Sequence, residues 1–445
     1  MDARAHFEGK KITVMGLGLL GRGLGDIRYL AEQGAELTVT DLKTREQLAT
    51  SVEALAQFPN IHFILGEHRF EDFRDRDMVL KAAGVPMDSP YIEEAHKSGI
   101  PVKMSSSLFA EIAQIPVIGI TGTRGKSTTT HMIHAILEAA GKDVLLGGNV
   151  RGVSTLALLP QVKESSIALM ELDSWQLQGF GAAQMSPTVS VFTTFFPDHL
   201  NYYKDDLDLY LADKANIFLF QKPGDTLILG SQCAALIQQK YASHLQGWVS
   251  IAGADDLPSE WTLAIPGEHN RYDAALAMRA AQALHIEDSV IRTALEGFGG
   301  VPGRLEFVRT VNDVRYYNDT TATTPDATLV ALRALSGGKG PGEHGKRVVL
   351  IMGGADKGID MTELLDALPD YTKRVELLAG TGTERIRAEL SNAEVFDNLV
   401  AAVGNARRNA EPGDTILFSP AFASFGMFKN EFDRGDQFNA LVHSF

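Results

Sequence analysis

Residues 116–130 read PVIGITGTRGKSTTT, and this stretch decides the fold of the central part of the chain. PVIGI is a short apolar run typical of a buried strand. The residues from Lys126 onward predict a helix that ends near Ala140, with Gly141 in the usual C-cap position. The glycine turn between them aims backbone N–H groups and the positive end of the helix dipole at one point. The stretch therefore predicts a phosphate-binding loop.

The side chains of this loop have separate tasks. Lys126 supplies a point charge for the β and γ phosphates of a nucleotide, and Ser127 or Thr128 supplies a hydroxyl for Mg²⁺. The standard GxxxxGK[ST] pattern needs glycine at position 120, where this chain has isoleucine, so the loop is a variant. The predicted ATP-binding residues of the loop are Gly122, Thr123, Arg124, Gly125, Lys126, Ser127 and Thr128.

Polar residues follow the next predicted strands. Glu171 ends the apolar run at 166–172, and Asp198-His199 closes the loop after the run at 188–195. Because ligand groups gather at the carboxyl ends of parallel strands, Glu171 and His199 are candidate Mg²⁺ ligands beside a triphosphate. Taken alone, His199 is more often an ordinary loop histidine. Lys214 lies in a predicted helix and, from composition alone, is more often an ordinary solvated lysine.

The N-terminal segment has the order of a nucleotide-binding unit. A strand (KITVM, 11–15) leads into GLGLLG (16–21), a helix near 24–33 and a second strand that ends at Asp41. Strand, glycine turn, helix, strand and acid is the doubly wound pattern that binds nucleotides. The alternative is a turn whose glycines only let the helix and strand pack closely.

A third block begins near Arg304. VRYYND (314–319), KRVVLIMGG (346–354), VELLAG (375–380) and DTILFSP (414–420) predict strands, and 325–335 predicts a helix. Strands that alternate with helices along the whole chain indicate an α/β protein with parallel sheets covered on both faces.

Composition limits the class of protein. The 445 residues carry 41 Lys and Arg against 56 Asp and Glu, a formal charge of −15 that argues against a nucleic-acid partner. The single cysteine, Cys233, excludes an intramolecular disulfide, and we expect it to act as a small apolar residue whose location the sequence does not give. No apolar run approaches the length of a membrane span. We expect a cytoplasmic protein of two to four domains that does not associate with a membrane.

Ten motifs along the chain occur in the order seen in the Mur ligases, and the chain resembles this family over essentially its whole length. The motifs are GITGTRGKSTTT (119–130), GGN (147–149), ELDSWQ (171–176), PDHLNYY (197–203), DKANIF (213–218), GEHN (267–270), PGRLE (302–306), YYNDTTAT (316–323), MGGADKG (352–358) and SPAFASFGMFKN (419–430). Mur ligases are cytoplasmic ATP-dependent amino-acid ligases of peptidoglycan synthesis.

The resemblance implies three domains: a Rossmann-like UDP-binding domain (1–113), a central P-loop-type ATPase domain (114–303) and a C-terminal Rossmann-like domain that binds the amino acid (304–445). It implies a monomer that adds D-glutamate to UDP-N-acetylmuramoyl-L-alanine with ATP and Mg²⁺, through an acyl phosphate. The alternative is the same ligation with L-glutamate.

The resemblance also assigns residues. It places Lys126, Glu171, His199 and Lys214 in catalysis, and Ser127, Glu171, His199 and a carbamylated Lys214 around Mg²⁺. It adds Asn270, Arg304 and Asp319 to the ATP site. The UDP-linked substrate is expected at Gly18, Leu19, Leu20, Asp41, Gly84, Asn149 and Gln176, and the incoming glutamate at Thr323, Lys357 and Ser424.

Three positions depart from the family pattern. Thr321 replaces a common lysine, Asp173 replaces a serine, and Glu431 falls where an aromatic residue is expected. Two of these lie around the amino-acid pocket, so the handedness of the glutamate stays open.

Rival classes leave part of the sequence unused. A folylpolyglutamate synthase relative would lack the GLGLLG domain, and a dehydrogenase would leave the phosphate loop unexplained. A non-catalytic UDP-sugar sensor would not need all four catalytic candidates.

Overall fold

The structure is a computed structural model that describes residues 4–18, 21–336, 347–390 and 392–445. The described residues form three sheets. Two compact units contain them: residues 1–258 with 272–294, which hold the first two sheets, and residues 259–271 with 295–445, which hold the third.

The first sheet is five-stranded and parallel, with the order β3-β2-β1-β4-β5. Its strands are β1 (Lys11–Met15), β2 (Glu36–Asp41), β3 (Ile61–Leu65), β4 (Met78–Lys81) and β5 (Val102–Lys103). Its helices are α1 (Arg4–Phe7), α2 (Arg22–Glu32), α3 (Ala49–Glu53), α4 (Pro90–Lys97) and α5 (Ser105–Ala113). The predicted order of strand, glycine turn, helix and strand is confirmed.

The second sheet is six-stranded and parallel, with the order β11-β10-β9-β6-β8-β7. Its strands are β6 (Val117–Thr121), β7 (Asp143–Gly148), β8 (Ser166–Glu171), β9 (Val189–Phe192), β10 (Thr226–Gly230) and β11 (Trp248–Ala252). The helices of this part of the chain are α6 (Lys126–Ala139), α7 (Ser174–Ala182), α8 (Leu200–Tyr203), α9 (Leu207–Ala215), α10 (Ser231–Tyr241), α11 (Glu268–Ala283) and α12 (Asp288–Glu296).

The third sheet has the order β12-β13-β17-β14-β15-β16, and only the β12–β13 pair is antiparallel. Its strands are β12 (Glu306–Val311), β13 (Val314–Asn318), β14 (Val348–Gly353), β15 (Thr372–Leu378), β16 (Glu394–Phe396) and β17 (Thr415–Phe418). Its helices are α13 (Pro325–Leu335), α14 (Thr362–Tyr371), α15 (Thr381–Ile386), α16 (Leu399–Asn409) and α17 (Glu431–His443).

The central strand β14 explains why its sequence is apolar without alternation. Leu350 and Met352 pack into the apolar cluster on one face of the sheet, while Val349 and Ile351 pack into the cluster on the other face. Helices cover both faces, so every side chain of β14 is buried. The expected cover on both faces is therefore confirmed for this sheet, whereas its β12–β13 pair departs from the expected parallel order.

Two further expectations can be compared with the structure. Cys233 is buried and its thiol lies against the backbone carbonyls of β9 and β10, as expected for a small apolar residue. Burial raises the pKa of this thiol to about 12. Among the described residues, none of the helices is both long enough and apolar enough to cross a membrane.

Candidate active site

The predicted phosphate loop lies between the end of β6 at Thr121 and the start of α6 at Lys126. Gly122 (φ 140°) and Gly125 (φ 84°) have backbone angles that favour glycine. A Cβ atom would lie 2.0 Å from Thr193 Oγ1 at Gly122 and 2.4 Å from Asp273 Oδ1 at Gly125. Both glycines are therefore required for the close approach of the loop to its neighbours.

The loop is fixed to the carboxyl end of β9. The Thr123 hydroxyl accepts a hydrogen bond from Phe196 N (3.0 Å) and lies 3.1 Å from Phe196 O. Arg124 N donates to Thr194 Oγ1 (2.9 Å). Ser127 is buried at the start of α6, and Thr128 is half-buried. These contacts hold the turn rigid, which a phosphate cradle needs.

Two lysines meet at this loop. Lys126 Nζ donates to the carbonyls of Gly122 (3.0 Å) and Thr123 (3.1 Å). Lys214 Nζ, from α9, donates to the same Gly122 oxygen (2.9 Å) and lies 4.8 Å from the centre of the Tyr210 ring. Lys214 is only 1% exposed, and its burial, together with the Lys126 charge, lowers its pKa well below the ordinary value. An amine in this position is held toward its neutral form.

His199 lies in the loop between β9 and α8 in a left-handed backbone conformation (φ 52°). Its ring packs against Trp175, with the ring centres 4.7 Å apart. Burial lowers the pKa of His199, and the charges of Lys214 and Lys126 lower it further, while Asp198 raises it. His199 is thus close enough to Lys126 and Lys214 for both of their charges to affect its pKa.

Glu171 ends β8 and is buried. Its carboxylate accepts a hydrogen bond from Asn149 Nδ2 (3.2 Å), and its backbone carbonyl accepts from Asn149 N (2.7 Å). Among the described residues, no hydrogen bond or ion pair joins Glu171 to His199 or Lys214, and no group of three acidic, histidine or cysteine side chains is placed to hold a metal. The candidate donors are one carboxylate, one imidazole, one hydroxyl and one amine.

A cavity of about 580 Å³ lies at the carboxyl ends of β1, β2 and β4. Asp41 is buried in its wall, where its carboxylate accepts hydrogen bonds from the N–H groups of Leu17 (3.0 Å) and Gly18 (3.2 Å). The acid at the end of the second strand therefore shapes the glycine turn. Gly84 lines the same cavity, whereas Leu19 and Leu20 lie outside the described residues.

The opposite wall comes from the second sheet. Gln176 lines the cavity and donates to Ser106 Oγ (3.3 Å). Asn149 bridges the two sheets, because its side-chain oxygen accepts from the Arg22 guanidinium while its amide donates to Glu171. Arg22 also lines the cavity and is thus connected through Asn149 to Glu171, a candidate metal ligand.

Asp173 has a structural task at this wall. Its carboxylate accepts a hydrogen bond from Gln176 N (2.8 Å), while the Gln176 side chain accepts from Asp173 N (3.2 Å). This capping box satisfies two N–H groups at the start of α7. Serine also forms such caps, so the departure at position 173 keeps the local geometry.

The C-terminal unit holds three further predicted nucleotide residues. Asp319 is buried at the end of β13, and its carboxylate accepts from Leu305 N (2.9 Å) and Ser419 Oγ (2.7 Å). Burial raises the pKa of Asp319 to about 7, while the charge of Arg304, itself exposed, acts to lower it. Asn270 is buried in the same unit and donates to Pro266 O (2.5 Å).

The predicted amino-acid residues lie on loops of this unit. Lys357 Nζ donates to Thr323 Oγ1 (2.8 Å), so the structure brings these two together. Ser424 is buried and follows Ala423, which pairs with Ala355 in the loop that carries Lys357. The loops at 323, 357 and 424 therefore adjoin one another.

Thr321 and Glu431 have local structural contacts in the same unit. The hydroxyl and N–H of Thr321 both donate to Gly303 O, at 2.9 and 3.0 Å. Glu431 begins α17, and its backbone carbonyl accepts from Thr320 Oγ1 (2.7 Å). Both residues fit the local backbone at these positions.

Sequence reasoning missed three buried or half-buried charges around the cavity. They are Arg22, Asp26 and Lys81. Asp26 accepts from Ser154 Oγ (2.6 Å), and burial raises its pKa to about 6. Lys81 was detectable in principle, because a lysine that ends the apolar run MVLK lies at the ligand-binding edge of a parallel sheet.

A phosphate loop at one parallel sheet and a large cavity at the adjoining one define a nucleotide-dependent α/β enzyme with several domains. Three family models match this chain: the Mur ligase MurD-like N-terminal domain (residues 10–104), the Mur ligase middle domain (120–256) and the Mur ligase glutamate ligase domain (303–422).

Two similar proteins are the UDP-N-acetylmuramoylalanine–D-glutamate ligases of Roseiflexus sp. and Borreliella burgdorferi. The first is 36% identical and the match covers 98% of this chain and 99% of the relative; the second is 34% identical, with 97% of each covered. The chain belongs to the Mur ligase family, whose members are ATP-dependent ligases that use Mg²⁺.

A solved structure with the same fold is the UDP-N-acetylmuramate-alanine ligase of Thermotoga maritima. Its TM-score is 0.61 at 18% identity, and the match covers 98% of this chain and 99% of that one. The predicted α/β class and three-domain fold are confirmed.

Proposed function

We propose that this ligase adds D-glutamate to UDP-N-acetylmuramoyl-L-alanine in the synthesis of peptidoglycan precursors. The observation that carries the proposal is the match, over nearly the full length of both chains, to relatives named for that reaction. The geometry of the phosphate loop supports the ATP-dependent step, because Lys126 and Lys214 converge on the Gly122 carbonyl.

The chemistry explains why such a site is needed. A carboxylate is a poor electrophile, so its oxygen first attacks the γ-phosphate of ATP, and ADP leaves. The product is an acyl phosphate, whose carbonyl carbon the glutamate amine attacks as phosphate departs. Charge builds on the transferred phosphoryl group, and Lys126 and the N–H groups of the loop stabilise it.

The donor set fits Mg²⁺ if Lys214 is carbamylated. Two ammonium groups at one carbonyl oxygen would repel a cation, whereas a carbamate on Lys214 is an anionic oxygen ligand. Only a neutral amine reacts with CO₂, and the lowered pKa of Lys214 favours that form. Ser127, Glu171, His199 and carbamylated Lys214 would hold the metal, which supplies positive charge to the phosphates.

The remaining assignments follow the three sites. We place the UDP-linked substrate against Gly18, Leu19, Leu20, Asp41, Gly84, Asn149 and Gln176, and the rest of ATP against Asn270, Arg304 and Asp319. Thr323, Lys357 and Ser424 receive the glutamate, and an ammonium suits a dianionic amino acid.

D-glutamate is favoured over L-glutamate because the similar proteins are named for the D-glutamate reaction. Thr321 and Asp173 have structural hydrogen bonds, to Gly303 and to Gln176. Glu431 begins a helix. The side-chain contacts of Thr321 and Asp173 account for two of the departures without a change of substrate, and nothing in the structure explains the glutamate at position 431.

We further propose domain boundaries at 113/114 and 303/304, a cytoplasmic location and a monomeric enzyme. Nucleic acid and membrane are not expected partners, since the chain is acidic.

The experiment is a phosphate-release assay with ATP, Mg²⁺ and UDP-N-acetylmuramoyl-L-alanine, run in parallel with D-glutamate and with L-glutamate. We expect release with D-glutamate and the mass of one glutamyl residue added to the UDP-linked product. Release with L-glutamate alone would reassign the amino-acid pocket, and release with neither would overturn the proposal.

A further inference from the structure

Lys81 is a buried lysine that the proposed reaction does not use. It ends β4, lines the cavity described above and is only 2% exposed. Buried ammonium groups are normally paired with a carboxylate, because desolvation disfavours the charge. Among the described residues, no carboxylate lies within ion-pair distance of Lys81 Nζ. Its partners are therefore neutral groups.

Those partners are the carbonyl oxygens of the loop that follows the strand. Lys81 Nζ donates to Val85 O (2.6 Å) and lies 3.4 Å from Ala82 O and 3.5 Å from Ala83 O. An ammonium has three N–H donors, so it can gather several carbonyls at one point. Three carbonyl groups of the 82–86 loop therefore point toward the ammonium group of Lys81.

The direction of these carbonyls fixes the direction of the N–H groups. In a trans peptide the N–H points opposite to the C=O, so the N–H groups of Ala83 and Gly84 point away from Lys81. Neither N–H has a hydrogen-bond acceptor among the described residues. Gly84 is exposed, and a Cβ atom there would meet nothing within 4 Å. Ala83 and Gly84 both line the cavity.

We propose that Lys81 is a positioning residue for the anionic UDP-linked substrate. Its ammonium gathers the carbonyls of the 82–86 loop and thereby turns the N–H groups of Ala83 and Gly84 toward the anionic groups of the substrate. The diphosphate and the terminal carboxylate are the two candidate anions. This inference rests on the proposed function for the identity of the substrate.

A second contact links the loop to the reaction centre. Lys81 Nζ lies 3.5 Å from Gln178 Oε1 on α7, and Gln178 Nε2 donates to Asp213 Oδ2 (2.8 Å). Asp213 precedes Lys214 on α9. Through Gln178, these contacts connect Lys81 and the 82–86 loop to α9, the helix that carries the candidate metal ligand Lys214.

The test compares Lys81→Met, which removes the charge and the donors, with Lys81→Arg and with the exposed control Lys97→Met. KM is measured for the UDP-linked substrate, ATP and glutamate, and calorimetry gives the affinity for UDP-N-acetylmuramoyl-L-alanine and for UDP. Thermal unfolding establishes that each variant is folded.

We expect Lys81→Met to raise KM for the UDP-linked substrate about tenfold or more, with KM for ATP and glutamate within twofold of the wild type. Lys81→Arg should give an intermediate value, because a planar guanidinium keeps the charge but fits three converging carbonyls less well. Lys97→Met should match the wild type. Weaker binding of UDP assigns the diphosphate, and weaker binding of the full substrate alone assigns the carboxylate.

A folded Lys81→Met enzyme with unchanged KM for the UDP-linked substrate overturns the inference, as does an equal rise in all three KM values. If Lys81→Met does not fold, an unchanged KM in Lys81→Arg overturns it. A wild-type enzyme that does not bind the UDP-linked substrate contradicts the proposed function instead, so the two failures are distinct.

Discussion

Lys126 and Lys214 donate hydrogen bonds to the same atom, the carbonyl oxygen of Gly122, at 3.0 and 2.9 Å. One lysine comes from the phosphate loop, and the other comes from a helix 88 positions later in the chain. The burial of Lys214, and next its repulsion by Lys126, lower the pKa of Lys214 and disfavour its charged form. In the proposed mechanism the two lysines would have different roles: Lys126 would act as a cation toward the phosphates, and Lys214 would be converted to an anionic carbamate.

The first prediction concerns Lys126→Ala. We expect phosphate release to fall at least a thousandfold, because the transferred phosphoryl group loses the cation that stabilises it. Binding of the UDP-linked substrate, measured by calorimetry, should be unchanged, since that cavity lies at the other sheet. Lys142→Ala, an exposed lysine after the same helix, is the matched control. Normal turnover in Lys126→Ala would contradict the assignment of the loop.

The second prediction concerns CO₂. A carbamate forms reversibly from a neutral amine and CO₂, so removal of CO₂ and bicarbonate should lower activity at least tenfold. Addition of bicarbonate should restore it. Lys214→Met should be inactive at every bicarbonate concentration. Activity that stays constant through exhaustive CO₂ removal would show that Lys214 acts as a free amine.

Individual strands and turns were predictable because each is determined by a short stretch of sequence. KITVM and PVIGI became β1 and β6 within one residue, since an apolar run followed by a glycine turn has few alternatives. The turn at Gly122 was predictable for the same reason. Such features need no information about distant residues.

The contacts of the cavity were not predictable in this way. Lys81 reaches Gln178, 97 positions away, and Arg22 reaches Asn149, 127 positions away. Their partners are set by how two sheets pack, which no local pattern reports. The family resemblance supplied Asn149 and Gln176, but it supplied neither Arg22 nor Lys81.

The third prediction concerns the helix cap at Asp173. Asp173→Ala removes the acceptor for Gln176 N, so the free energy of unfolding should fall by about 1 kcal/mol. Asp173→Ser should lose less, because serine also caps helices. Urea unfolding measures both variants. Equal losses in the two would mean that the cap does not stabilise α7.

The fourth prediction concerns Asp319 and pH. Burial raises the pKa of Asp319 in the folded protein to about 7. The protonated side chain therefore stabilises the fold fully below the unfolded pKa near 4, and this contribution is lost as the pH rises through 7. Asparagine does not ionise. The free energy of unfolding of Asp319→Asn, relative to that of the wild type, should therefore increase between pH 5 and pH 8, by on the order of 2 kcal/mol.

The measurement is urea unfolding of both proteins at the two pH values. Asp370→Asn, on the surface of the same unit, is the control and should show no such trend. A difference between Asp319→Asn and wild type that is the same at both pH values would contradict the raised pKa.

The fifth prediction concerns the amino-acid pocket. Lys357→Met should raise KM for glutamate about tenfold or more, because a dianionic substrate loses a cationic partner. KM for ATP should change less than twofold. Lys429 is an exposed lysine that follows Ser424 in the chain, and Lys429→Met should have a smaller effect. Equal effects of the two substitutions would move the glutamate site away from Lys357.

The most direct test of the account follows the oxygen atoms of the carboxylate. UDP-N-acetylmuramoyl-L-alanine is labelled with ¹⁸O at both carboxylate oxygens and is converted with ATP and D-glutamate. Activation as an acyl phosphate transfers one labelled oxygen to the released phosphate and leaves the other in the new amide. Mass spectrometry of the phosphate should therefore find one ¹⁸O atom per turnover, whereas unlabelled phosphate would contradict the mechanism.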